Sequence, residues 1–467
     1  MRSPLSLESE PIAGLATPHG TSALAIIRLS GTGLRECLLP LLRRPDGRPA
    51  SLSDFTPRIL KRMDLVETHE YGHKPLDKAM LVFFPAPHSY TGEDLIELHC
   101  HGSPVVIQHV LTHLTELGIR PAKPGEFTRR ACLNGKMDLT QAEALISLIN
   151  AASLRGAREA LRQMEGSLSQ RVFKIRERVL KILAQMEATL DFADEVTDPL
   201  LPRILLMELS GVSEQLGELL RTSTLGTHFH DGFQLLIAGR PNVGKSSLFN
   251  RLLGRQRAIV SPLPGTTRDC IDSRMEIQGI SVLLIDTAGL RDTSEVIELE
   301  GIKLTKERLT QADGVLLVLD PQQGATEDDL DLLRLLPPEQ VIAVWNKMDL
   351  FDGSHAALQG WQGLPTVTIS CLTGEGLDAL LTAIAGLFLP MPVDGEGAVI
   401  MAARQKNALA QAVRSLAECE SMIVHNQPLE VATLPLRAAL EALGEMVGQI
   451  THEALLDQIF GTFCIGK

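Results

Sequence analysis

The sequence of 467 residues has no apolar run approaching the ~18 to 20 residues that a membrane-spanning helix needs, so no span is expected. It also has no Cys-x-x-Cys pair. Its seven cysteines are an odd number without a pairing pattern, which argues against a disulfide framework and for a reducing, cytoplasmic setting. Basic charge is scarce as well. Lys and Arg number 44 against 57 Asp and Glu, a net charge of −13, which excludes a surface that grips nucleic-acid phosphates throughout. The first dozen residues carry one arginine and two acids, unlike a secretory or mitochondrial leader. Internal repeats and low-complexity tracts are absent. His99-Cys100-His101 looks like a metal motif, but neighbours on a strand point to opposite faces and no further ligand cluster accompanies it.

What is present is a glycine-rich loop, Gly239-Arg-Pro-Asn-Val-Gly-Lys-Ser246. Chance alone puts such a spacing in about one or two of every hundred chains this long, so context has to decide. The apolar run Phe233 to Ala238 before it reads as a strand, and Ser247 to Leu253 after it opens a helical pattern. Strand, glycine turn and helix N-terminus make an anion cradle. Asn242, Val243, Gly244, Lys245, Ser246 and Ser247 would line it, with Lys245 reaching the β and γ phosphates and Ser246 ligating Mg2+.

Two further segments fix the nucleotide. Asp286-Thr287-Ala288-Gly289 follows the strand-like Val282 to Ile285, which places Asp286 near the Mg2+ shell and the Gly289 N–H near a γ-phosphate. Asn346-Lys347-Met348-Asp349 follows Val341 to Trp345. The two oxygens of Asp349 match the paired donors of guanine and reject adenine by up to ~10^4-fold. Ser370-Cys371-Leu372, after Thr366 to Ile369, is placed to give a backbone N–H to guanine O6 and a hydroxyl to brace Asp349. These motifs imply a guanine-nucleotide switch.

Position 290, where familiar switches carry a water-orienting glutamine, is leucine, so hydrolysis must recruit another group. Glu295, Glu298 and Glu300 are near enough in sequence if their loop folds in; on composition alone they read as a solvated acidic loop. Ser261-Pro262-Leu263-Pro264-Gly265-Thr266-Thr267 lies between the first two motifs. Thr267 or Thr266 can supply the second Mg2+ hydroxyl, and Asn242 with inward-turned carbonyls of this loop can hold a potassium ion in place of an arginine finger.

Around this module the periodicity changes. Strand-like runs at Ala23 to Leu29 and Ala79 to Phe84, with a helical pattern over Pro104 to Leu117, predict an α+β domain over 1–134. Helical spacing follows through 135–231, including a helix from Arg203 to about Leu220 and a joint at Gly226 to Gly232. It returns over 390–467, after Pro390-Met-Pro392 ends the 232–389 module. Two helical blocks that each need cover imply one helical domain interrupted by an insert. The expected fold class is thus multidomain: an α+β N-terminal domain, an α-helical middle and C-terminal domain, and an inserted α/β P-loop domain of the Ras-like kind.

The loop motifs, with Gly265-Thr-Thr-Arg-Asp269 and Asp286-Thr-Ala-Gly-Leu-Arg291, resemble the tRNA-modification GTPase family called MnmE or TrmE. Ala16-Thr-Pro18, Tyr90-Thr-Gly-Glu-Asp94, Pro124-Gly-Glu-Phe-Thr128, Leu139-Thr-Gln-Ala-Glu143 and Phe463-Cys-Ile-Gly-Lys467 extend the resemblance over essentially the whole chain. It implies GTP hydrolysis stimulated when potassium pairs two G domains, with Asn242, Ser261, Leu263 and Thr266 as K+ ligands, Ser246 and Thr267 as Mg2+ ligands, and Glu298 as the water-activating residue. It further implies a homodimer that binds a 5-formyltetrahydrofolate one-carbon donor through Arg28, Glu97, Lys136 and Lys467. An FAD-containing partner of the MnmG type would act with it, in a heterotetramer, on the wobble uridine of certain tRNAs. The product would be a 5-carboxymethylaminomethyl or aminomethyl group, and the acidic balance suits a partner that holds much of the tRNA. Ribosome-assembly GTPases share the central motifs but not the outer ones, so a scaffold GTPase is the alternative reading.

Overall fold

The computed structural model describes residues 10–69, 72–191, 201–255, 272–286, 312–353, 361–388, 399–449, 453–463 and 465–466. It divides into two compact units, 1–146 with 444–467, and 147–443. Among the described residues no helix is long and apolar enough to cross a membrane.

The first unit is built on a seven-stranded sheet of β1 (Ile12–Leu15), β2 (Ser22–Ser30), β3 (Leu42–Arg43), β4 (Lys61–His69), β5 (Gly72–Phe84), β6 (Leu95–Gly102) and β7 (Arg120–Pro121). Their order is β3-β4-β5-β6-β2-β1-β7, antiparallel except for β1 with β7. Alternation along β6 sends Ile96, Leu98 and Cys100 into the core, where Ile107, Val110 and Leu114 of helix α1 (Pro104–Glu116) cover them. Burial pushes the Cys100 thiol up to about 12, so it serves as a small apolar filler. Glu97 and His99 fall on the opposite face, with Arg28 of β2 directly across from Glu97.

Helix α2 (Glu126–Leu133) is fixed to this sheet by a buried ionic network. Arg120 grips Glu126 at 2.9 and 2.5 Å, and Arg130 bridges Glu126 and Glu93 at 3.0 Å each. Burial alone would raise the Glu126 carboxyl, but hydrogen bonds from Arg120 and the Lys123 N–H, with the charge of Arg130, hold it near about 2. Leu139 and Ala142 of helix α3 (Leu139–Ile149) pack with Leu456, Phe460 and Phe463 from the far end of the sequence. Residues 444–467 fall in the same compact unit as the N-terminal sheet.

The second unit contains a six-stranded sheet of β8 (Phe233–Ala238), β9 (Asp272–Ile277), β10 (Ile280–Asp286), β11 (Gly314–Leu319), β12 (Val341–Trp345) and β13 (Thr366–Thr368). The order is β13-β12-β11-β8-β10-β9, parallel apart from the edge strand β9. β8 and β12 coincide with the strands expected from the sequence: β12 is a continuous apolar run buried on both faces, and β8 is apolar and buried at every position but Gln234. The order reverses at β8, and in such sheets ligands bind beyond the strand ends at that switch point.

The helices of this unit are α4 (Leu154–Met164), α5 (Ser167–Asp191), α6 (Leu201–Asp231), α7 (Lys245–Arg255), α8 (Glu327–Arg334), α9 (Leu377–Phe388), α10 (Ala403–Val424) and α11 (Leu429–Met446); α4, α6, α7, α8 and α9 touch the sheet, whereas α5 and α10 pack on α6. Ala160 of α4 is part of the core that holds β8, β10 and α9, so the helical flank and the sheet share one interior. The joint expected at Gly226 to Gly232 is not found. Helix α6 runs on to Asp231 and stops only at Gly232, which adopts a left-handed φ of 88°. Gly226 serves a different purpose, since a Cβ there would collide with the carbonyl of Ile400, where the chain returns from the insert.

Candidate functional site

The phosphate loop follows from where its glycines sit. A side chain at Gly239 would collide with the Val318 carbonyl of β11, and one at Gly244 with the Asn346 amide nitrogen. Both residues have left-handed φ values, 141° and 100°. Asn242 at the crest also has positive φ, 62°, and is exposed, while Val243 is buried in the core beneath and pins the loop. Helix α7 starts at Lys245, so its unbonded N–H groups and positive dipole end face the loop, with Ser246 and Ser247 exposed on the first turn. The Lys245 ammonium donates to the Gly239 and Arg240 carbonyls at 3.0 and 2.8 Å.

The base-side loops are stitched to this cradle. Asn346, nearly fully buried, donates through Nδ2 to the Val243 carbonyl at 3.0 Å and accepts from the Cys371 N–H at 3.1 Å. One side chain thus joins three loops. Lys347, in a left-handed turn with φ 64°, donates to Asp320 Oδ2 at 2.8 Å just past β11. Burial would raise the Asp320 carboxyl, but the Lys347 hydrogen bond and charge, the Gln322 N–H and the Arg240 charge hold it below its usual range. Met348 packs into the core below. The Ser370 hydroxyl donates to Asp349 Oδ1 at 2.5 Å and accepts from the Thr373 N–H at 3.1 Å. Burial lifts the Cys371 thiol to about 11, so it stays protonated at neutral pH, while Leu372 is 78% exposed.

Asp286 ends β10, in register with Ile237 of β8, on the side where the phosphate loop begins. Thr287, Ala288, Gly289, Glu298 and the Ser261 to Thr267 segment, with Pro262, Leu263, Pro264, Gly265 and Thr266, lie outside the described residues. Their geometry contributes nothing to the arrangement above.

In the first unit, Arg28 donates to Glu97 Oε1 through Nε at 3.0 Å and Nη2 at 2.8 Å. The guanidinium lies 5.4 Å from the Tyr90 ring centre and 6.0 Å from that of Phe127, and reaches the Gly466 carbonyl at 3.4 Å. Lys136 donates to the Pro87 carbonyl at 3.1 Å, its stem beside Gly92 of the Tyr90 to Asp94 segment. Lys467 lies outside the described residues, one position beyond Gly466. Arg28, Glu97 and the final residues therefore converge on one face, with an aromatic wall.

Two family models divide the sequence between them: "GTP-binding protein TrmE N-terminus" matches residues 11–136 and "MnmE helical domain" residues 139–464. The tRNA modification GTPase MnmE of Magnetococcus marinus is 44% identical, over 100% of both chains. The chain belongs to the MnmE family. The MnmE of Aquifex aeolicus is 40% identical over 98% of this chain and 100% of its own. Among solved structures, the G domain of the T. maritima FeoB iron transporter aligns at 30% identity and a TM-score of 0.27, over 34% of this chain and 99% of that one. Strand order and loop geometry, rather than that alignment, define the fold.

Several residues of this MnmE-family site escaped the sequence reading. Asp320 has no motif around it and is found only through Lys347. Tyr90 and Phe127 lie within quoted family motifs, yet only folding shows that both rings flank Arg28. Asp329 carried a readable signal, the Thr326-x-x-Asp329 capping pattern, but nothing in sequence ties it to Arg240.

Proposed function

We propose that this MnmE-family chain binds and hydrolyses GTP and acts in tRNA modification. The observation that carries the reading is the Ser370-braced Asp349 carboxylate, joined through buried Asn346 to a glycine cradle at a helix start. A guanine nucleoside polyphosphate offers paired donors to the first and phosphates to the second.

The cradle fits phosphate, because side chains at Gly239 and Gly244 would fill or distort it. Lys245 and the first N–H groups of α7 would hold β and γ oxygens, with Ser246, Thr267 and the Asp286 end of β10 around Mg2+, which would neutralise charge on the transferred group. Asn242 presents a neutral amide at the loop crest, the donor type that suits K+ with carbonyls of Ser261, Leu263 and Thr266. Glu298 would activate water in place of the glutamine absent at Leu290. Two copies paired through these loops would form the active state.

The Arg28–Glu97 pair, walled by Tyr90 and Phe127, would take the 5-formyltetrahydrofolate donor with Lys136 and Lys467. A carboxylate beside a guanidinium matches the donor and acceptor edge of a pterin, and the rings give it a stacking surface. In this division 1–134 binds folate and dimerises, 232–389 is the nucleotide module, and 135–231 with 390–467 forms the helical part. An FAD-containing partner would complete wobble-uridine modification.

GTP turnover in KCl and NaCl tests the cation step. Turnover should rise sharply in KCl and fall to a low basal rate in Glu298→Ala with nucleotide still bound; equal rates in the two salts overturn it. Mass spectrometry of tRNA nucleosides from cells lacking the gene tests the pathway, and an unchanged wobble uridine overturns that assignment.

A further inference from the structure

Arg240 lies inside the phosphate loop, yet its side chain is committed elsewhere. Nη2 donates to the Gly324 carbonyl at 2.8 Å, and Nε lies 3.0 Å from Asp329 Oδ2. Asp329 is completely buried in the first turn of α8. Its Oδ2 also accepts from the Thr326 N–H at 3.0 Å and the Thr326 hydroxyl at 3.1 Å, while Oδ1 has no hydrogen-bond partner among the described residues. A buried carboxylate with an idle oxygen is a poor device for stability alone, because desolvating the charge costs more than a helix cap returns. A neutral cap at that position would serve the helix as well.

The backbone of Arg240 suggests what the charge is for. Its carbonyl receives the Lys245 ammonium at 2.8 Å, so the residue that seats the phosphate-binding lysine is itself moored to α8. The segment that moors it also touches the base side. Asp320, at its start, accepts from Lys347, and Gln322 Nε2 donates to the Leu350 carbonyl at 2.8 Å, one residue beyond Asp349. Residues 320–329 thus span from the base-reading loop to the phosphate loop.

We infer that Arg240 and Asp329 are positioning residues for GTP hydrolysis: their ion pair sets the phosphate loop, and with it Lys245, relative to the guanine-reading loop. The inference rests on the GTPase reading. Their side chains are bound to each other and to the 324–329 segment, and each acts through Lys245.

The test uses the full chain in four variants: Arg240→Gln, Arg240→Lys, Asp329→Asn and the Gln/Asn double variant. Asn keeps the cap acceptor for Thr326, and Lys keeps the charge opposite Asp329. Measured are KM and kcat for GTP, GDP affinity, and melting temperature. KM for GTP and Kd for GDP should each rise about tenfold in Arg240→Gln and Asp329→Asn. Arg240→Lys should recover most of the loss, and the double variant should be no worse than the weaker single. Unchanged KM in both singles, losses that multiply in the double, or a lower melting temperature with normal KM would each overturn the inference. Wild-type turnover is the control: if it is absent, the GTPase reading fails rather than the brace.

Discussion

Asp349 presents two carboxylate oxygens, and Ser370 donates to one of them at 2.5 Å, so the carboxylate is held in one orientation before any base arrives. Guanine offers N1–H and a 2-amino group side by side, each needing an acceptor. Asp349→Asn turns one acceptor into a donor, which fits the C2 carbonyl of xanthine instead. GTP affinity should fall by about 10^2-fold or more while xanthosine triphosphate gains, a reversal read by competition binding. Ser370 can still donate to the amide oxygen, so the loop keeps its shape. At this scale the motif residues were legible in sequence because their chemistry is local. Asp320 and Asp329 were not, because a carboxylate's partner depends on which loops the fold brings together.

At the scale of elements, the chain returning from the insert is held by side chains. Glu159 and Gln163, one turn apart on α4, hold the backbone of Val399: Gln163 donates to its carbonyl and Glu159 accepts its N–H. The peptide that carries the Val399 carbonyl is bound through its other group too, as the Ile400 N–H donates to the Thr222 hydroxyl at 3.1 Å. Gln163→Ala strands a buried carbonyl and should lower stability by about 1–3 kcal/mol in urea unfolding. Burial raises the Glu159 carboxyl, despite the opposing charge of Arg162 and the Val399 N–H. A raised folded pKa means that stability is greatest below the unfolded value and declines as pH rises through the folded one. Glu159→Gln should therefore match wild type at pH 4 and exceed it at pH 8. Helical spacing announced α5, α6 and α10, but not that polar residues on α4 and α6 would secure the returning chain. The glycines of 226–232 misled for the same reason, since Gly226 marks a close approach and not a break.

Over the whole molecule, sequence order and spatial grouping part company. Residues 444–467 join the N-terminal unit, where Phe460 and Phe463 pack on α3 and Gly466 reaches Arg28. Periodicity sees only neighbours along the chain, so it carries no sign of these contacts. If Arg28, Glu97 and Lys467 form the folate site, deleting residues 464–467 should weaken 5-formyltetrahydrofolate binding at least about tenfold and leave GTP affinity unchanged. Calorimetry with each ligand checks both halves, and equal loss of both affinities would show that the deletion acts on the fold in general.

That grouping imposes an order on biosynthesis. A ribosome finishes the sheet of Ile12 to Pro121 early, yet the residues that complete its unit emerge only after all of 147–443 has been made. A translation product that stops at Leu443 would carry every described nucleotide-binding residue but lack the strand of chain that closes over Arg28. If the folate site proposed above is correct, arrested synthesis would yield a molecule that keeps the nucleotide module but has no one-carbon group to deliver.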